Sequence, residues 1–372
     1  MSLSPPKALY LHVPFCPKVC PYCDFHKMHR NEDLVAAYLT RLESEARELY
    51  TQFPDPLETI YLGGGTPSHL TNDELTRVVD ILKNTWGFPA RLETTLEADP
   101  LTFDKARLDI FKDLGFNRLS IGLQSTQDDV LKFLGRLHDG EAGLKAVELG
   151  LAAGFEVSAD IITGINMQNT QLDLERLAQT LTPHISVYSL TIEPYTPFAL
   201  RGVSVDEDKE STDFDVAARV LADYGFERYE VSSHALAGHE SRHNQAYWQG
   251  DYFLNLGPSA AGFVPSADAQ LIGERRTNLP IKAWLEQQPA IADAISAEDY
   301  VLDVLLTGLR TRVGIDVQEL KQRSGIDISK KYAQLIEELE QHQLLSLENN
   351  HLKTTERGLK QLNGVVRRFW QS

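Results

Sequence analysis

Three cysteines, Cys16, Cys20 and Cys23, fall within eight residues, and none of the 349 residues after Cys23 is a cysteine. Thiols this close, in a chain that otherwise avoids them, are spaced as ligands to one inorganic centre. An odd count and the lack of a secretory signal argue against a disulfide scaffold. Two centres compete. Zinc would need a fourth protein ligand, and His26 stands where it could complete a tetrahedral Cys3His set. An iron–sulfur cluster held by three thiolates leaves one iron open to a ligand that is not protein.

Further chemistry-bearing residues sit at the ends of β-type segments. The run Leu62-Gly-Gly-Gly-Thr-Pro67 exposes backbone N–H and C=O groups with no side chain in the way, which suits the grip of a small zwitterion. Alone it reads as a tight turn. Beside Cys-x3-Cys-x2-Cys it resembles the glycine-rich loop of radical SAM proteins. In those, three thiolates hold a [4Fe–4S] cluster and S-adenosylmethionine (SAM) chelates its fourth iron. Glu97, Gln124 with Ser125, and Asp160 each close a segment and can hold ribose hydroxyls or an amino group. Each alone is equally well a helix cap or an internal hydrogen-bond partner. Arg136 can pair with a carboxylate bidentately or lie solvated at a helix end.

Taken together, Tyr10-Leu-His-Val-Pro-Phe-Cys16, Gly63-Gly-Gly-Thr-Pro67, Glu97-Ala-Asp-Pro100, Ser120-Ile-Gly-Leu-Gln-Ser125 and Thr191-Ile-Glu-Pro-Tyr-Thr-Pro-Phe198 resemble the oxygen-independent coproporphyrinogen III oxidase superfamily. The resemblance covers nearly the whole chain. Two features resemble its HemW-type haem chaperones rather than the oxidases. Phe25 stands where the oxidases carry a fourth cysteine, and His243-Asn-Gln-Ala-Tyr-Trp248 matches the chaperones' His-Asn-x-x-Tyr-Trp. The short stretch before Cys16 also leaves no room for the oxidases' N-terminal arm. The resemblance implies that Cys16, Cys20 and Cys23 hold the cluster, that Tyr10, Gly64, Gly65, Thr66, Glu97, Gln124, Arg136 and Asp160 line the SAM site, and that Tyr22 packs near the cluster. It makes His243 the candidate haem ligand, with Tyr247 and Trp248 as a stacking wall and His234 and His239 as alternatives. The residues alone favour an internally hydrogen-bonded His243. Two stretches depart from the family pattern: Gly164-Ile-Asn-Met-Gln-Asn-Thr170, and Gly257-Pro-Ser-Ala-Ala261, which lacks a family histidine.

The elements that must position these residues alternate. Strands are expected over Ala8–Val13, Glu58–Leu62, Arg91–Glu97, Asn117–Ile121, Phe155–Ile161 and His184–Thr191. Amphipathic helices are expected over Leu34–Tyr50, Asp73–Trp86, Phe103–Leu114, Gln127–Leu134, Glu141–Ala153 and Gln171–Leu181. Such alternation implies an α/β fold with a parallel sheet and right-handed crossovers. Six units are too few to close an eight-stranded barrel, so the expectation is a partial (β/α)6 barrel over residues 1–205, with its chemistry at the C-terminal strand ends. Residues 206–290 form an additional α+β region holding the His-Asn-x-x-Tyr-Trp motif. Residues 291–372 read as a winged-helix-like module of helices, a hairpin over Leu344–Thr354 and a last helix.

Charge and composition narrow the partners. A formal charge of −17 argues against nucleic acid and anionic membrane surfaces. From Ile291 onward 12 acidic and 11 basic residues nearly balance, which favours packing or partner docking over DNA binding. No apolar run approaches the ~20 residues of a membrane span, and an oxygen-sensitive cluster belongs in a reducing compartment, so a cytoplasmic chain is expected. The expected partners are haem, an acceptor haemoprotein and an electron donor for the cluster. The alternative is a radical SAM enzyme that acts on a tetrapyrrole or another substrate through a 5′-deoxyadenosyl radical.

Overall fold

The computed structural model describes residues 4–89 and 91–372; Met1, Ser2 and Leu3 of the N-terminal segment lie outside them. Six parallel strands form the centre: β1 (Ala8–Val13), β2 (Thr59–Gly64), β3 (Glu93–Ala98), β4 (Arg118–Gln124), β5 (Glu156–Thr163) and β6 (His184–Ser189). The crossovers are helical: α1 (Glu32–Gln52), α2 (Asn72–Thr85), α3 (Lys105–Leu114), α4 (Asp128–Phe133), α5 (Gly140–Ala152) and α6 (Thr170–Ala178). The caps explain why these helices start where they do. Thr71 and Glu74 close a capping box on α2, and Asp104, Asp139 and Asn169 accept first-turn N–H groups of α3, α5 and α6. Helix α3 ends at Gly115, whose φ of 101° suits only glycine well.

Strand alternation sorts side chains between two environments. On β1, Leu9, Leu11 and Val13 join the buried aliphatic core beneath the helices. Tyr10 and His12 point the other way, into the barrel, where Tyr10 is in register with Tyr61 and Tyr61 with Thr95. The barrel interior is therefore aromatic and polar.

The sheet is open and wider than the alternation implies. Among the described residues it has twelve strands, adding β7 (Glu227–Arg228), β8 (Ser233–Ala235), β9 (Phe253–Leu256), β10 (Ala261–Val264), β11 (Gly273–Thr277) and β12 (Ile291–Ile295). The order is β12-β11-β10-β9-β1-β2-β3-β4-β5-β6-β8-β7. Strand β9 runs parallel to β1, and β8 antiparallel to β6. The strands of the region after residue 205 thus extend both edges of the barrel sheet instead of forming a layer of their own.

The C-terminal module contains helices over Ala297–Gly308, Val317–Ser324 and Ala333–Gln341 and a hairpin of Leu345–Glu348 with His351–Thr354. Asn349 and Asn350 turn the hairpin with positive φ of 51° and 66°. Ile315–Asp316 adds a third strand. The single last helix expected from the pattern is two, Glu356–Lys360 and Leu362–Trp370. A second buried core fills this module and includes Tyr252 and Phe263 from the sheet extension.

Candidate functional site

At the C-terminal ends of the central strands lies a cavity of about 390 Å³. It brings together Cys16, Cys20, Cys23, Tyr22, Gly64, Gly65, Thr66, Glu97, Gln124, Arg136 and Asp160, all expected from the sequence. Its size is that of a small-molecule site.

The thiol loop is braced from below. Phe15–Cys16 pairs with Met28–His29, and the Tyr10 hydroxyl donates to His12 Nδ1 at 3.0 Å. His12 Nε2 donates to the His26 carbonyl at 2.7 Å, which fixes the tautomer, and burial pulls the imidazole down to about 4. The glycine loop zips onto the same segment: Gly65 N–H donates to the Val13 carbonyl (2.8 Å) and Thr66 N–H to that of Phe15 (2.9 Å). A Cβ on Gly65 would meet the Val13 and Phe15 backbone at 2.8–2.9 Å, so no side chain fits there.

The donor set suits a multi-iron cluster better than one ion. Burial, then Cys23 and Cys20 themselves, push the Cys16 thiol up to about 11, and burial also raises Cys23. Three adjacent thiolates need cationic metal to balance them. Among the described residues no three His, Cys, Asp or Glu side chains converge as a single ion requires. The Nε2 of His26 accepts from the Ile281 N–H at 3.2 Å, so that nitrogen is not turned to the thiols. A cluster engages each thiolate through a different iron and needs no common point.

Beside the thiols stands Arg136. It donates to Asp99 at 2.6 Å, to the Gly122 carbonyl at 2.8 Å and towards Cys20 Sγ at 3.5 Å. Burial opposes its charge, but Tyr22, Asp99 and Cys20 hold it protonated. The floor is acidic. Glu97 accepts from the Tyr61 hydroxyl (2.8 Å) and Gly64 N–H (2.9 Å), and Asp160 accepts from Ser120 (2.8 Å). Burial pushes Glu97 up to about 7, assisted by Asp160, and burial likewise raises Asp160. Gln124 sits at a register shift of β4 with φ of 70°, a strained left-handed conformation for a residue with a side chain. At the lip, Phe25 and Leu137 are exposed beside Lys18 and Lys27.

Six expected residues lie elsewhere. Tyr10 is one layer below the cavity lining and acts on His12. His243, expected as a haem ligand, is at the opposite end of the barrel and 1 % exposed. Its Nδ1 meets Thr59 Oγ1 at 2.8 Å and its Nε2 the Tyr247 hydroxyl at 2.6 Å, so both nitrogens are engaged, and burial depresses it to about 3. This is the internally bonded histidine, not an open ligand. Tyr247 is consumed in that clasp, and Trp248 packs under Arg310, 5.6 Å from the guanidinium carbon, instead of walling a ligand. His234 is buried and His239 lies by Glu156; neither lines the cavity. Residues the sequence reading passed over are His12, Tyr61, Asp99, Ser120 and Tyr188. Period-2 spacing from Tyr10, Gly63 and Glu97 would have found the first three.

Barrel, thiol loop and glycine loop together define a radical SAM protein. The Radical SAM superfamily model matches residues 10–180, and the HemN C-terminal domain model matches residues 295–360. The fold is that of coproporphyrinogen III oxidase (HemN) from Escherichia coli, a radical SAM enzyme: TM-score 0.83, 21% identity, covering 98% of this chain and 90% of that one. Heme chaperone HemW of Lactococcus lactis subsp. lactis is 30% identical over 99% of this chain and 98% of its own length. Radical S-adenosyl methionine domain-containing protein 1, mitochondrial, of Mus musculus is 34% identical over 86% and 77%. The chain belongs to the HemW family of heme chaperones within the radical SAM proteins.

Proposed function

We propose that the chain binds a [4Fe–4S] cluster, SAM and haem, and delivers haem to an acceptor haemoprotein. Cys16, Cys20 and Cys23 would hold the cluster, with Tyr22 packed beside it. Gly64, Gly65, Thr66, Glu97, Gln124, Arg136 and Asp160 would hold SAM. The bound pair supplies one-electron chemistry at the open iron, with reducing equivalents from a separate donor protein. The residues of the chain bind and orient. Backbone groups of the glycine loop and Arg136 suit the carboxylate end of an amino acid, and the Glu97 carboxylate suits its ammonium.

The observation that carries the reading is the open thiol triad facing a preformed polar cavity, in a chain alike over its whole length to heme chaperones. The lip supports the haem part. Phe25 and Leu137 are 60% and 57% exposed, an apolar rim for a flat macrocycle, and Lys18 and Lys27 beside them suit its carboxylates. Anaerobic reconstitution followed by haemin titration tests the whole. Four irons and four sulfides per chain, and a Soret band weakened in Phe25→Ala/Leu137→Ala, are expected. Stoichiometric zinc in place of iron, or a Soret band indifferent to the lip, would overturn the corresponding part.

A further inference from the structure

The helix that carries His-Asn-Gln-Ala-Tyr-Trp, Arg242–Trp248, lies at the start of the barrel strands, yet its side chains connect to the cavity floor. The Glu93 carboxylate on β3 accepts from its first N–H groups, Arg242 at 3.1 Å and His243 at 2.9 Å. His243 then enters the barrel interior, clasped between Thr59 and the Tyr247 hydroxyl. Its ring stacks on Tyr61, with centres 5.1 Å apart and planes 25° apart. Tyr61 stacks in turn on Tyr10 at 6.1 Å. The Tyr61 hydroxyl donates to Glu97 Oε1, and Gly64 N–H donates to Oε2. One of the two donors that aim this carboxylate therefore rests on His243.

We propose that His243 and Tyr247 are positioning residues for the cavity: their buried clasp fixes Tyr61, and Tyr61 fixes the Glu97 carboxylate that receives the ammonium group of SAM. The proposal rests on the reading of Glu97 as part of the SAM site and deepens it. It also gives the His-Asn-x-x-Tyr-Trp motif a role that needs no open imidazole. The titratable groups facing Glu97 are Tyr61 on β2, Tyr10 on β1, Tyr247 on the motif helix and Asp160 on β5. Burial and Asp160 raise Glu97, while the Tyr61 and Gly64 hydrogen bonds lower it. Loss or misplacement of the Tyr61 donor raises it further.

The test uses the full chain, with Tyr61→Phe, Tyr247→Phe and His243→Gln beside wild type. In cluster-loaded protein, SAM affinity should rise with pH through about 7 in wild type and then level off. In the variants the midpoint should move up by roughly one pH unit, so that affinity at neutral pH falls about fivefold and recovers at higher pH. Infrared titration of the carboxyl in the cluster-free chain should show the same displaced midpoint, independent of SAM. Unmoved infrared and binding midpoints in variants with wild-type circular dichroism overturn the proposal. So does a Soret band lost in His243→Gln with an unmoved midpoint, which would return that residue to haem. Glu97→Gln separates the two layers. If its SAM binding keeps the wild-type pH profile, the reading of Glu97 fails, and the infrared arm alone then decides the positioning role.

Discussion

Glu97 and Arg136 show how burial turns single side chains into instruments. Glu97 titrates near 7 in the folded chain and near 4.3 once unfolded. The folded state thus holds its proton more tightly. The group's contribution to stability is constant below about pH 4, falls as pH rises to about 7, and is level above. The loss amounts to about 4 kcal/mol for the cluster-free protein. Glu97→Gln should flatten that part of the stability profile in denaturant titrations across the window; an unchanged profile would assign the slope to other groups. Arg136 is held by a fork of contacts to Asp99, Gly122 and Cys20. A lysine supplies a point charge and cannot span them. Arg136→Lys should weaken SAM binding by more than tenfold while the cluster spectrum persists, and equal affinity by calorimetry would show the guanidinium geometry to be dispensable.

Elements were legible where the local pattern and the final environment agree. The six central strands and their helices follow from alternation and caps, because each buries its apolar face against a sequence neighbour. The strands that extend the sheet on either side were not legible. Strand β11, Gly-Glu-Arg-Arg-Thr, is charged and partly exposed, and β9 pairs with β1 from the far end of the chain, which no local window contains. The cysteine triad, glycine loop and strand-end carboxylates were legible as a site because their chemistry is encoded in residue type. His243 was legible as a motif but not as a clasp, since its partner Thr59 sits 184 residues away. The glycine loop yields the sharpest prediction at this scale. Gly65→Ala forces a Cβ into the backbone of Val13 and Phe15, so the loop must detach from the thiol segment. Expected is loss of SAM binding and reduced iron content with secondary structure retained; unaltered SAM affinity would mean the loop yields without consequence.

Across the whole molecule, two cores are joined through the motif helix. Tyr252 and Phe263 belong to the sheet extension, yet pack in the core of the C-terminal module. Arg310 of that module covers Trp248, its Arg312 N–H donates to the Tyr229 carbonyl, and Thr311 bridges Glu230. Neither part buries its apolar surface without the other, so unfolding should be one cooperative transition and not two. Trp248→Ala removes a half-buried ring and its cation contact at this junction, worth about 2–3 kcal/mol together. Its calorimetric Tm should fall by several degrees while the transition stays single, and the Glu97 midpoint should stay in place, since the Trp248 ring packs under Arg310 and it is His243 that stacks on Tyr61. Two resolved transitions in the variant would instead show that the ring is the tie between bodies that otherwise fold alone.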